Sequence, residues 1–191
     1  MSEEKAIHNY SDAELMTQIC CANTMAFNEL YRRYSRRMLY YFYRMLGNSE
    51  DTAQDFLQDL FYKIIDKPHL YNPDQKFSTW IFCIAHNMCK NEYRRRNIRQ
   101  NIRLSSESFN DLPENYETEQ DLSETINLIY RELDHLGESH KTAFILRYRE
   151  GFQVNEISEV LNLPEGTVKS RLFYARRCLA DKLKKSVEMM Y

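Results

Sequence analysis

The chain has 191 residues, 43% of them hydrophobic and 28% charged, with only four Gly and four Pro. Length alone allows one ordinary domain or two small ones, and long Leu-, Arg-, Glu- and Lys-rich stretches without sustained alternation argue against a sheet and favour two small helical domains in an all-α protein. The formal charge is −2, no run approaches the roughly 18–20 apolar residues of a membrane span, and the start MSEEKAIHNYSDAE carries no apolar leader core, so a cytoplasmic protein without direct membrane insertion is expected.

From the N-terminus, a helix from about Ser11 carries Leu15 and Ile19. A second from about Met25 places Phe27, Leu30, Tyr31, Tyr34, Met38, Leu39 and Phe42 at three- and four-residue spacings until Gly47-Asn48 ends it. Arg32, Arg33, Arg36 and Arg37 are interleaved with Tyr31, Tyr34 and Tyr40, a pattern we read chiefly as amphipathic packing rather than as a nucleic-acid stripe. Ser49 is the expected N-cap of a third helix, EDTAQDFLQDLFYKII, with acids in its first turn where the helix dipole favours them. On it Asp55, Gln58 and Asp59 form a polar face at i, i+3, i+4, with Phe56, Leu60 and Ile64 on the other side. Pro68 and Asn72-Pro73 break the chain before a fourth helix, from about Ser78 to Arg95, to which Trp80, Ile81, Ile84 and Met88 supply core contacts.

The stretch LSSESFNDLPENYETEQDLSE then holds seven acids and no Lys or Arg, so returning those seven charges to the total of −2 leaves +5 on the rest of the chain. It reads as a flexible acidic linker at 103–122 between modules at 10–102 and 123–187. About twenty such residues reach roughly 25 Å on average and about 60–70 Å at full stretch, enough to let two modules touch DNA sites more than one helical turn, about 34 Å, apart.

The second module reads as helices near 123–136, 139–150, 154–162 and 165–186, with Gly137, Gly151 and Leu163-Pro164-Glu165-Gly166 at the turns. Its last two have the size and spacing of a helix-turn-helix. On the final helix Val168, Leu172, Ala175, Leu179 and Leu183 fall within about 80° and predict the buried stripe. The opposite side presents Gly166, Thr167, Lys169, Ser170, Phe173, Tyr174 and Arg177, with Arg171 near the edge of the stripe. A major groove asks for this set: backbone N–H groups and cations for phosphate, hydroxyls for register, and one or two side chains for base edges. Phe173 and Tyr174 suit a thymine methyl and a protein partner equally.

No catalytic machinery stands out, since there is no Gly-rich phosphate loop and no nucleophile elbow, and no enzyme activity or cofactor is expected. Cys83, His86 and Cys89 invite a metal reading, but at i, i+3 and i+6 they fan out by about 60° each and cannot converge tetrahedrally without a distant fourth ligand. Five cysteines with no CxxC pair read as reduced thiols, and no metal site is expected.

EISEVLNLPEGTVKSRLFYARRCL resembles the promoter-reading helix-turn-helix of extracytoplasmic-function (ECF) sigma factors. AFNELYRRYSRRM, AQDFLQDLFYKII and FSTWIFCIAHNMCKNEYRRR resemble domain two of the same family. The resemblance covers most of the chain in the family's order. It implies docking of Asp55, Gln58, Asp59 and Phe61 on the clamp helices of the largest subunit of core RNA polymerase. It also implies capture of a flipped base of the minus-ten element by the loop around Asn72, Lys76, Phe77 and Ser78. Lys90, Arg94, Arg95 and Arg96 would grip the melted strand, and Asn87 and Asn91 would bond base edges. Thr167, Lys169, Ser170, Arg171, Phe173, Tyr174 and Arg177 would read the upstream element as duplex. The linker would thread the polymerase's RNA-exit path, and an anti-sigma factor is an implied partner. Gly137, where the family commonly has proline, and Gln54, where it commonly has an acid, depart from the pattern. The competing reading is a stand-alone helix-turn-helix regulator that binds duplex DNA unaided.

Overall fold

The computed structural model describes the backbone of residues 7–103 and 124–188 and the side chains of 7–99 and 129–184; all regular structure among them is helical. The acidic stretch read as a linker lies, from residue 104 onward, outside the described residues. The chain divides into two compact units at Asp111/Leu112, and each is described by itself.

In the first unit, α1 (Asp12–Cys20) starts at a capping box in which Glu14 N–H donates to Ser11 Oγ at 3.3 Å and Ser11 N–H to Glu14 Oε2 at 2.7 Å. The Ser11 backbone N–H holds the Glu14 carboxyl below its usual pKa. Leu15, Met16 and Ile19 bury its inner face. α2 (Thr24–Met45) is capped by Asn23, whose Oδ1 accepts from Met25 and Ala26 N–H at 3.0 and 3.2 Å. It supplies the largest share of the core: Leu30, Tyr34, Met38, Tyr41, Phe42 and Met45 are buried. α3 (Glu50–Asp66) begins at the expected Ser49 cap and buries Ala53, Leu57, Leu60, Phe61 and Ile64 against α2. A 3₁₀ turn at Pro68–Leu70 leads to α4 (Phe77–Arg103).

α4 is longer than its apolar pattern predicts at its C-terminal end. No Gly or Pro interrupts residues 77–103, so propensity carries the helix on after its buried contacts stop at Cys89. The turns that leave the core are tied to the end of α2: the Tyr93 hydroxyl donates to the carbonyl of Met45, and Arg96 Nη1 donates to the carbonyl of Leu46 at 3.1 Å. Both carbonyls belong to a helix end that lacks intrahelical donors.

In the second unit, α5 (Glu124–Asp134) and α6 (Glu138–Phe144) are followed by one π-helical turn, Ile145–Arg149. Gly151 at φ +78° reverses the chain, and Arg147 Nη1 clamps the bend by donating to the Phe152 carbonyl at 2.9 Å. α7 (Val154–Leu161) starts at a Gln153/Glu156 capping box and stops at Asn162, which adopts the left-handed conformation with φ 51°. α8 (Glu165–Glu188) buries Val168, Leu172, Ala175 and Leu179, while Leu183 at the end of the stripe is half-buried. Lys182 pairs with Glu132 to brace α8 against α5, and Lys141 pairs with Asp134 at 2.6 Å.

Candidate nucleic-acid and polymerase interfaces

α8 leaves the turn with its apolar stripe down. Lys169, Ser170, Phe173, Tyr174 and Arg177 are therefore exposed, with Thr167 and Arg171 half-buried at the margins. Phe173 keeps 63% of its surface and Tyr174 52%, far more than a core-facing aromatic retains. The Lys169–Glu165 pair at 3.4 Å is exposed on both sides and leaves the ammonium available. Ser170 Oγ donates to the Thr167 carbonyl at 2.9 Å. The Tyr174 ring lies 4.7 Å from the His140 ring of α6, and the His140 pKa is lowered by burial and by the Arg171 charge. α7, the turn and α6 thus fix the direction in which the first two turns of α8 point.

In the first unit, Asn87, Lys90, Asn91, Arg94 and Arg95 are all exposed and recur at i, i+3, i+4, i+7, i+8, one continuous face of α4. Arg96 does not join them. It spans from Glu92 at 3.1 Å to the Leu46 carbonyl, a structural tie rather than a grip on a strand.

An open cleft of about 340 Å³ lies between the first turn of α1 and the loop before α4, lined by Asp12, Ala13, Tyr71, Pro73, Asp74, Gln75, Lys76, Phe77 and Ser78. Its loop is held from within. Asn72 Oδ1 accepts from Asp74 N–H at 3.1 Å, Gln75 N–H donates to the Asn72 carbonyl at 3.0 Å, and the Tyr71 hydroxyl donates to the Gln75 carbonyl at 2.7 Å. Asn72 therefore shapes the loop rather than lining the cleft, and Phe77 is buried as its floor. The Phe77 ring lies 4.9 Å from Tyr34, 5.5 Å from Tyr71 and 5.6 Å from Trp80. Trp80, expected in the core, is half-buried on this aromatic floor.

On α3, Asp55, Gln58 and Asp59 are exposed together, as their spacing requires. Phe61 is not on that face: it is 3% exposed, with its ring 4.7 Å from Tyr31 and 6.0 Å from Phe27. The aromatic that continues the exposed face is Tyr62, 69% exposed one turn beyond Gln58 and Asp59, followed by Ile65. Packing across to α2 decides between Phe61 and Tyr62, and neither residue type signals it.

A polar network escaped the sequence pattern altogether. Buried Glu29 accepts from Arg32 Nη2 at 2.8 Å, Arg33 Nε at 2.7 Å and His8 Nδ1 at 2.6 Å, and these donors, Arg32 first, hold its pKa at about 2. Arg33 Nη1 also donates to Asp12 Oδ1 and to the Tyr10 carbonyl, both at 2.9 Å, and the Tyr34 hydroxyl donates to Asp12 Oδ2 at 2.5 Å. Burial, with that bond, pushes the Tyr34 hydroxyl far above its usual pKa. Arg37 lies 5.7 Å from the Tyr34 ring centroid and 5.6 Å from that of Phe82. Three of the four clustered arginines are thus structural, and Arg36 is exposed. Among the described residues no three His, Cys, Asp or Glu side chains come together as a metal site, and all five cysteines are free thiols.

A helix-turn-helix with an exposed cationic face, in one chain with a second helical unit that carries a cation-and-amide stripe and an aromatic-floored cleft, is the make-up of a DNA-binding protein. The sigma-70 region 2 family matches residues 30–98, and the sigma-70 region 4 family matches residues 126–179. The chain is 32% identical over 166 residues to the RNA polymerase sigma factor YlaC of Bacillus subtilis, covering 84% of this chain and 93% of that one. It is 29% identical to the ECF sigma factor SigW of the same organism over 171 residues, 83% of this chain and 89% of SigW. To the sigma-E factor of Escherichia coli K12 it is 27% identical over 186 residues, 91% and 94% of the two chains. The sigma factor RpoE of Bartonella quintana, solved with the anti-sigma factor NepR, shares the fold with a TM-score of 0.70 at 21% identity, over 83% of this chain and 96% of that one. CnrH, solved with the cytosolic domain of CnrY, shares it with a TM-score of 0.67 at 24% identity, over 91% and 97% of the two chains. The chain belongs to the ECF subfamily of RNA polymerase sigma factors, and its function is transcription initiation. Among the described residues no helix is long and apolar enough to cross a membrane.

Proposed function

We propose that the chain works in the cytoplasm, without catalysis or cofactor of its own, by dividing promoter recognition between its two units. A domain over 10–102 docks on core polymerase through the α3 face of Asp55, Gln58 and Asp59, with Tyr62 as its apolar anchor. The cleft before α4 receives a base flipped out of the minus-ten element, with Lys76 and Ser78 at its rim. Asn87, Lys90, Asn91, Arg94 and Arg95 hold the melted strand. Unstacking a base costs a few kcal/mol, which a preformed pocket and a cationic grip offset. The 123–187 domain sets α8 in the major groove of the upstream element through Thr167, Lys169, Ser170, Phe173, Tyr174 and Arg177, with Arg171 supporting from the margin. An anti-sigma factor that covers these surfaces is a fitting inhibitor, given that RpoE of Bartonella quintana was solved with the anti-sigma factor NepR.

The observation that carries this reading is the exposure of Lys169, Ser170, Phe173, Tyr174 and Arg177 on one side of a helix whose other side buries Val168, Leu172, Ala175 and Leu179. Run-off transcription with purified core polymerase on a genomic template library tests it. A promoter-dependent transcript that requires this chain is expected, and no such transcript together with no binding to core would overturn it.

A further inference from the structure

The cleft has one acidic wall that the loop does not supply. Asp12 stands on the first turn of α1, and its side chain is 27% exposed where it borders the cleft. Two interactions orient it, Tyr34 on Oδ2 and Arg33 on Oδ1. Arg33 is fixed in turn by Glu29 and by the carbonyls of His8 and Tyr10. An ionised carboxylate offers about four acceptor positions and donates nothing, so two positions remain after these bonds. The paired guanidinium also offsets the charge that would otherwise repel a nucleic-acid strand.

We infer that Asp12 is a specificity-determining residue of the cleft: it accepts a hydrogen bond from the exocyclic amino group of the entering base and so rejects thymine, the one DNA base without such a group. Thymine, like uracil, turns carbonyl oxygens to its edge on either side of N3–H, and an acceptor-only wall meets them with repulsion. Cytosine presents N4–H₂ at the equivalent place, and a carboxylate accepting from that amine is an established pairing. A site built to bond a polar group discriminates strongly against an analogue that lacks it, because its own polar group is left without a partner. The inference rests on the cleft receiving a flipped base, as proposed above.

The test uses holoenzyme assembled from the full chain and core polymerase, on a promoter selected from a randomised library. Cytosine or uracil, which differ only in the amine-for-oxygen exchange and its ring proton, is placed singly at each melted position. 2-Aminopurine fluorescence reports which position unstacks. With wild-type protein one unstacked position should favour cytosine over uracil by about tenfold in open-complex formation. Asp12→Asn, whose amide donates as well as accepts, should narrow that ratio to about threefold or less, with the other positions unchanged. A second measurement needs no variant: 2-pyrimidinone, cytosine without its amine, should lose about as much as uracil with the wild-type chain. An unstacked position that accepts all three bases equally, or an unchanged ratio in Asp12→Asn, overturns the role of Asp12 and leaves the flipped-base cleft standing. Open complexes in which no position unstacks overturn both.

Discussion

Glu29 is a buried carboxylate held by three basic side chains, and its consequences can be worked out from its surroundings. Its folded pKa of about 2 lies below the ordinary 4.5. A depressed carboxyl contributes stability above its unfolded pKa and loses it as pH falls toward the folded one. Two of its donors are largely exposed, Arg32 at 66% and His8 at 56%, so solvent screening reduces the gain to about 1–2 kcal/mol. Glu29→Gln should cost that amount at pH 7, and the difference from wild type should shrink as pH drops from about 4.5 toward 2. Urea unfolding at pH 7, 4.5 and 3 measures it, and parallel profiles for the two proteins would contradict the assignment. The i, i+3 and i, i+4 spacing puts Arg32 and Arg33 within reach of Glu29, but neither its burial nor its bond to His8, 21 residues away, can be read from the sequence, since periodicity reports only which face a side chain takes. The same blindness explains Arg96 and Phe61. Both belong to motifs whose neighbours are exposed, and both are claimed by contacts on α2 that only the folded chain reveals.

Single elements were far more legible than the contacts between them. The 3.6-residue period placed the stripe of α8, the family resemblance pointed to the α4 residues from Asn87 to Arg95, and the Ser11, Ser49 and Gly151 signals placed boundaries within a residue or two. The end of α4 and the π-helical turn after α6 were not legible, since no cap marks either. Two predictions belong here. Reversing Asp55 and Asp59 to lysine changes only exposed groups on α3, so the fold should survive. Affinity for core polymerase should fall at least tenfold in a pull-down titration, as expected when like charges meet across an interface; equal affinity would remove this face from the docking surface. On α8, Lys169→Ala should weaken upstream-element binding at every sequence tested and reduce the slope of log affinity against log salt by about one. Arg171→Ala should change that slope less, because Arg171 is half-buried beside His140. A larger loss of slope from Arg171 than from Lys169 would exchange their roles.

At the level of the whole chain, each unit has a core of its own: α2 with its neighbours in one, and Leu133, Ala143, Leu146, Ile157, Val168 and Leu179 in the other. In the proposed reading the covalent connection therefore serves recognition rather than folding. Joining two weak DNA contacts makes the second intramolecular, and such linkage raises overall affinity by about 10²–10⁴. Cutting the chain by a specific protease site introduced between residues 104 and 123 should therefore leave both halves folded, with circular dichroism and melting close to those of the intact protein. Promoter-dependent transcription at equal concentration should drop by at least about a hundredfold and should recover in part as both halves are raised together. The half that docks on polymerase should still compete with intact chain for core, because α3 lies wholly within it. Unimpaired transcription after complete cleavage would mean that the two units are held together by contact rather than by the tether.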